Sequence, residues 1–409
     1  MKLNVPYGQL TMRLELNHDR PVDLVSPRRT PADESCVARS LTSPQAAPDL
    51  TSFLSTRKRL LVVINDHTRP TPIASVLRTL DLKRKDVTTI VASGAHRPPS
   101  QRELERLLGG TQPPYGGKLL VHDANDEASL RSMGRTGRGT ELQFNKQLFD
   151  VDGIIVVGSV EPHYYAGFTG GRKFLLPGLA GFRSIEMNHS LALEEGSKIL
   201  MLEGNPVHED FMDALHIFDR YDDIFSIQLV LNHDHEVSYA SSGHIVHSFT
   251  NAVDQARDIY VAPVESKADI LISVATPPMD LDLYQAHKAI ENVRLALADG
   301  GVLILVAPCQ DGIGSRGFYD LLASGGNVFN KIREGYRLGY HKAAKLVQLQ
   351  TKTKLLAVTN LQPEILRAVS IEPYNELQRA FDDATRLKGN DARVLIVLDG
   401  CLTVPVCRH

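Results

Sequence analysis

The chain has 409 residues, enough for about two domains at roughly 150 residues each, with length to spare for a large buried core. Lys and Arg number 45 against 48 Asp and Glu, and this near-neutral net charge of −3 argues against nucleic acid or an anionic membrane as the main partner. Four scattered cysteines exclude a disulfide framework, and no stretch offers the roughly 18 apolar residues of a membrane span.

The N-terminus, MKLNVPYGQLTMRLEL, lacks the apolar core of a signal peptide, so a cytoplasmic protein is expected. Residues 22–52 are rich in Pro, Ser, Thr and Ala without periodicity and predict a loop that ends in a helix. Short runs rich in Val, Ile and Leu then recur at 59–64, 88–93, 118–121 and 153–158, with helical patterns at 72–80 and 100–108 between them. Apolar runs of this length, separated by helices, predict buried parallel strands. Residues 188–223 read as largely helical and 227–232 as a further strand. A second series follows, with strands at 269–274, 302–307, 354–359 and 393–399 and helices at 282–298 and 339–351. The expected fold class is α/β: two α/β domains with mainly parallel sheets, residues 1–265 and 266–409, and an active-site cleft between them.

Three strands of the first half run straight into polar clusters. Asn65-Asp66-His67-Thr68-Arg69-Pro70 follows the first, Gly94-Ala95-His96-Arg97-Pro98 the second, and Glu161-Pro162-His163 the fourth. Carboxyl ends of parallel strands share one sheet edge, where such folds bind ligands, so Asp66, Arg69, His96 and His163 are expected to converge there. Next comes His163-Tyr164-Tyr165-Ala166-Gly167-Phe168-Thr169-Gly170-Gly171-Arg172-Lys173. A phosphate-binding P-loop anchored at Gly167 would need Gly at 172 and Ser or Thr at 174, and these positions hold Arg172 and Phe174. What remains is a glycine turn whose N–H groups can approach a phosphate, followed by a lysine able to neutralise it or act as a nucleophilic amine. The bland alternative is a tight turn with a solvated lysine.

Taken together, DHTRP, GAHRP, EPHYYAGFTGGRKFLLPG, the pair Asn188-His189 and Tyr284-Gln285-Ala286-His287-Lys288, with Pro6-Tyr7-Gly8 near the start, resemble the nickel-pincer-nucleotide-dependent lactate racemase family. The resemblance implies an isomerase, a racemase or epimerase of a small 2-hydroxy acid. It implies a pyridinium-3,5-bisthiocarboxylic acid mononucleotide bound covalently at Lys173, with nickel completed by His189. Asp66, His67, Thr68, Arg69, Gly170 and Gly171 would lie beside the cofactor. His96 and His163 would be the two acid/base groups, and Arg69, Tyr284, Gln285 and Lys288 would hold the substrate. Enzymes that synthesise the cofactor are implied partners.

The chemistry is coherent on its own terms. Removing hydride from C2 of a 2-hydroxy acid leaves a planar 2-keto acid that accepts it back on either face, so one base per face is needed, and imidazole titrates in the right range. Arg69 and Lys288 supply cations for the carboxylate. The family resemblance also leads us to expect a tryptophan near the substrate, and the chain has none. Tyr340 is the candidate for that position, which implies a substrate larger or more polar than lactate. Two alternatives stay open: a zinc-dependent hydrolase or lyase using His96, His163 and His189, and a non-catalytic nickel- or nucleotide-binding protein. His233, His235, His244 and His247 have no zinc-site spacing and predict a solvated hairpin or loop. Cys401 and Cys407 have no ligand partners at useful spacing, and Asn205-Pro206-Val207-His208-Glu209-Asp210 predicts a helix entry.

Overall fold

A computed structural model describes residues 1–16, 21–324 and 327–408. The chain divides into two compact units: an inner unit, Arg29–Ile259, and a terminal unit made of Met1–Arg28 with Tyr260–His409.

The inner unit is built on a six-stranded sheet. Its order is Val237–Gly243, Ile224–Leu231, Gly153–Ser159, Arg59–Asn65, Asp86–Ala92, Lys118–Val121, parallel except for the antiparallel pair at the first edge. Leu60 to Ile64 and Ile154 to Val157 are buried on both faces, which explains the unbroken apolar runs. Short helices pack against the sheet. Gln101–Leu108 begins at Ser100 and Glu103, which form a reciprocal capping box, and ends at Gly109 in the left-handed conformation.

The terminal unit repeats the plan in an all-parallel sheet of order Glu372–Tyr374, Lys354–Val358, Leu297–Val306, Ala268–Val274, Val394–Val397, Val22–Val25. The mixed α/β architecture with mainly parallel sheets agrees with the expectation. The N-terminus differs from it. Residues 22–52 contain the strand Val22–Val25 and helices Cys36–Thr42 and Leu50–Ser55, where mostly loop is expected. Residues 1–28 side with the C-terminal half because Val22–Val25 adds to Val394–Val397, and because Val5, Tyr7, Leu14 and Leu16 share a core with Ile270, Ile304 and Ile396. Pairing across some 370 positions is a long-range choice that a four-residue strand does not announce.

The histidine-rich stretch forms the expected hairpin only in part. His233 and His235 lie in its turn, whereas His244 and His247 open the helix Ile245–Tyr260, with His244 stacked 5.5 Å from the Tyr221 ring. All four cysteines are free thiols, and no helix among the described residues is long and apolar enough to cross a membrane.

Candidate active site

In the inner sheet the chain runs outward from Arg59–Asn65 to Asp86–Ala92 and Lys118–Val121, then returns to the opposite side with Gly153–Ser159. The strand order therefore reverses between Arg59–Asn65 and Gly153–Ser159, and the crevice outside such a point is where open α/β sheets place ligands. Asp66 and Arg69 follow one of these strands and Glu161 and His163 the other. His96 follows the next strand over.

Each of these groups is held. Asp66, which is buried, faces His96 Nδ1 with Oδ2 at 2.6 Å, while its Oδ1 accepts from the Thr68 N–H and from Thr68 Oγ1. Burial pushes the Asp66 carboxyl up, but the bond and charge of His96, with Thr68 and Arg69, outweigh it and hold the group below its usual range. Arg69 donates to Glu161 Oε1 at 2.5 Å. Glu161, present in the sequence cluster but given no role there, is the buried member of this ion pair. His67 is directed elsewhere, 3.8 Å from Glu103 on the helix Gln101–Leu108.

His163 lies in a tight two-stranded turn, Pro162–His163 against Gly167–Phe168. Its Nδ1 accepts from the Ala166 N–H at 3.3 Å, and its ring stacks on Tyr164. Tyr165, unassigned by sequence reasoning, is the hub around which three candidate groups gather. Its ring centre lies 4.4 Å from His163, 5.3 Å from His189 and 5.8 Å from Lys173 Nζ. Lys173 sits on the short turn Gly171–Phe174, with its ammonium also 5.7 Å from the Phe211 ring.

The two glycines before Lys173 have packing reasons. Gly170 has φ +80°, and a Cβ there would stand 2.6 Å from Val160; at Gly171 it would stand 2.7 Å from Phe249. The Gly171 N–H donates to Gln228 Oε1 at 2.8 Å, so it is already engaged within the protein. Arg172, between Gly171 and Lys173, is fully buried, donating to the Ala166 and Gly170 carbonyls and lying 4.3 Å from the Phe249 ring.

His189 lies in the last turn of the helix Phe182–Ser190. Burial, reinforced by the nearby charges of Lys173 and His96, pushes its imidazole down to about 3. It is a neutral ring at physiological pH, the form that binds a metal. Its neighbour Asn188 donates to Asp210 Oδ2 at 2.8 Å, and Thr140 donates to the same oxygen at 2.8 Å. The segment read as a helix entry thus does more than cap. Asn205 accepts from the Val207 and His208 N–H groups and donates to the Tyr165 carbonyl, so one helix, Pro206–Phe218, ties down both the Tyr165 turn and the His189 helix.

The donor set fits a nickel-pincer nucleotide. A lysine and a neutral imidazole flank one aromatic ring, and nickel bound to sulfur and carbon accepts imidazole readily. It fits a protein-built zinc site poorly, because among the described residues no three His, Cys, Asp or Glu side chains gather to hold a metal ion.

In the terminal unit, Tyr284, Gln285 and Lys288 lie on the helix Leu283–Val293, which starts where Asp282 accepts from the Gln285 N–H. Lys342, on the helix Tyr340–Gln350, donates to the Tyr284 carbonyl at 2.7 Å and lies 3.5 Å from the centre of its ring. Burial pushes the Lys342 amine down to about 7. Lys288 lies close enough to Asp399 to lower its carboxyl pKa against the stronger upward push of burial. Tyr340 opens its helix and meets Tyr336 edge-on at 6.3 Å.

Comparison with known proteins identifies the family and the fold. Residues 7–199 match the lactate racemase N-terminal domain and residues 264–405 the lactate racemase C-terminal domain. The lactate racemase of Thermoanaerobacterium thermosaccharolyticum is 28% identical over 97% of both chains, and that of Lactiplantibacillus plantarum 26% identical over 97% of this chain and 98% of its own. The structure of the former's apoprotein superposes with a TM-score of 0.92 at 26% identity, covering both chains completely. A Thermotoga maritima protein, 18% identical with a TM-score of 0.72 over 93% of this chain and 100% of its own, shares the fold. Two α/β units with a histidine-lined sheet edge and these relatives define an isomerase of the racemase class. The chain belongs to the lactate racemase family.

Proposed function

We propose that this enzyme inverts C2 of a 2-hydroxy acid by removing and returning hydride, using a nickel-pincer pyridinium mononucleotide joined to Lys173. The observation that carries this reading is the gathering of Lys173, His189 and His163 around the Tyr165 ring, with the charge of His96 felt at His189. When bound, the cofactor supplies a hydride acceptor for C2. Lys173 provides the amine for attachment and the neutral His189 imidazole a nitrogen for nickel. His96 and His163 exchange the hydroxyl proton, and Arg69, Tyr284, Gln285 and Lys288 grip and orient the substrate. Gly170 and Gly171 shape the backbone under Lys173, and Asp66, His67, Thr68 and Arg69 belong to the segment that lies beside the cofactor. The absence of the tryptophan expected near the substrate, with Tyr340 the candidate for its position, favours a 2-hydroxy acid bulkier or more polar than lactate. The enzymes that make the cofactor are the cellular partners, and the cytoplasm is the compartment.

The test is intact-mass and metal analysis of the full chain co-expressed with the cofactor-synthesis enzymes. The expected result is a covalent adduct with nickel, lost in Lys173→Ala while the fold persists. A chain that carries zinc and no adduct, or an adduct retained in Lys173→Ala, overturns the assignment.

A further inference from the structure

The two histidines are held by partners of opposite kind. A carboxylate cannot donate, and Asp66 is a carboxylate with both oxygens engaged inside the protein, so the proton in the 2.6 Å contact sits on His96 Nδ1. A backbone N–H cannot accept, and Ala166 is fully buried, so its N–H needs the acceptor that His163 Nδ1 provides at 3.3 Å. Neutral imidazole has one N–H. If Nδ1 of His96 carries it, Nε2 is bare; if Nδ1 of His163 accepts, Nε2 carries the proton.

We infer that the site rests with its two histidines in opposite tautomers, His96 a proton acceptor at Nε2 and His163 a hydrogen-bond donor at Nε2, fixed by Asp66 and by the Ala166 N–H. Asp66 is then a positioning residue for His96 rather than a cofactor ligand. The inference rests on the racemase reading above for its catalytic meaning. For the enantiomer whose hydroxyl faces His96, the O–H bond breaks and its proton passes to Nε2. A bound pyridinium-class acceptor would take the C2 hydride, two electrons with it, as the 2-keto acid forms. The imidazolium so produced has Asp66 as its counterion. For the enantiomer facing His163, that ring must first give up its bond from Ala166 and change tautomer. Enantiomers are equal in energy, so kcat/KM is the same in both directions, and the inequality shows as a split between kcat and KM.

The experiment is ¹⁵N spectroscopy of the histidine-labelled full chain without added cofactor, at pH 8, with the two rings assigned through His96→Gln and His163→Gln. The expected spectra show His96 protonated at Nδ1 and His163 at Nε2. Asp66→Asn, whose amide can donate to Nδ1, moves the His96 proton to Nε2 and leaves His163 unchanged. In the loaded enzyme the same variant lowers kcat by about 10²-fold or more, with partial rescue in Asp66→Glu. Identical tautomers in the wild-type chain overturn the inference, as does an unmoved His96 in folded Asp66→Asn. Because the spectra need no turnover, opposite tautomers in a chain that racemises no 2-hydroxy acid would break the racemase reading and leave the tautomer assignment standing. If Asp66→Asn does not fold, the wild-type spectra alone decide.

Discussion

The two six-stranded sheets share a plan and differ in what stands where their strand order reverses. In the inner unit the reversal falls between Arg59–Asn65 and Gly153–Ser159, and the segments leaving those strands carry Arg69 and Glu161, joined as an ion pair. In the terminal unit it falls between Ala268–Val274 and Val394–Val397. There Asp399 bonds the Thr276 side chain and feels the charge of Lys288. Opposite charges meet in both, but the inner site adds three histidines, with Asp66 held against His96 and Thr68 and Glu161 paired with Arg69. In the terminal unit Lys342 lies against the Tyr284 ring, and burial pushes its amine down to about 7 despite the nearby charge of Asp282. The difference is that histidines crowd the inner reversal point, whereas lysines with carboxylate neighbours stand near the terminal one.

The largest expected effect lies at the histidines of the inner unit. His96→Ala and His163→Ala should each lower turnover by about 10²–10⁴-fold per bound nickel. Initial rates from both enantiomers, corrected for folded protein, check this; near wild-type turnover in either variant would assign that histidine to structure. His163→Ala also orphans the Ala166 N–H, so its thermal unfolding midpoint should fall further than that of His96→Ala, whose side chain is half exposed.

Glu161→Gln sharpens the comparison at intermediate size. It keeps a hydrogen-bond acceptor for Arg69 but removes the charge that holds the guanidinium. KM should rise by roughly tenfold or more, with a smaller change in kcat, since a charged hydrogen bond contributes about 1.5–3 kcal/mol. A fall in kcat with KM unchanged would show that the pair orients reacting groups rather than the carboxylate grip.

The smallest effect tests the terminal unit. Lys342 has a folded pKa of about 7, below the ordinary lysine value of 10.5, so the folded state binds fewer protons between these values. Stability from this group is therefore at its lowest below pH 7 and rises as pH increases toward 10.5. Lys342→Met should flatten that rise, measured as the difference in unfolding free energy between wild type and variant across pH 6 to 10. An unchanged slope would mean that the buried amine stays charged.

Much of this was legible in the sequence. The fully apolar runs at 59–64 and 153–158 identified parallel strands because a strand buried on both faces leaves no room for polar residues. The polar clusters directly after them marked the ligand edge because parallel strands end together. Asn205 before Pro206 announced a helix start for the same local reason. These signals lie within one element or one turn, where backbone geometry and side-chain spacing are set by neighbours in the chain.

Tertiary structure alone decided the rest. Only folding showed that Val22–Val25 completes a sheet whose other strands lie beyond residue 260, that Glu161 is the partner of Arg69, and that Tyr165 stands between His163, His189 and Lys173. The hydrogen-bond partners of the two histidines are of the same kind. Asp66 and His96 lie 30 positions apart in the segments that leave two neighbouring strands, and their contact depends on the register of those strands; Ala166 reaches His163 only because the chain turns back on itself there. Residue type told what chemistry was available, and three-dimensional placement determined which nitrogen carries the proton, because a tautomer is set by the partner a ring meets in space.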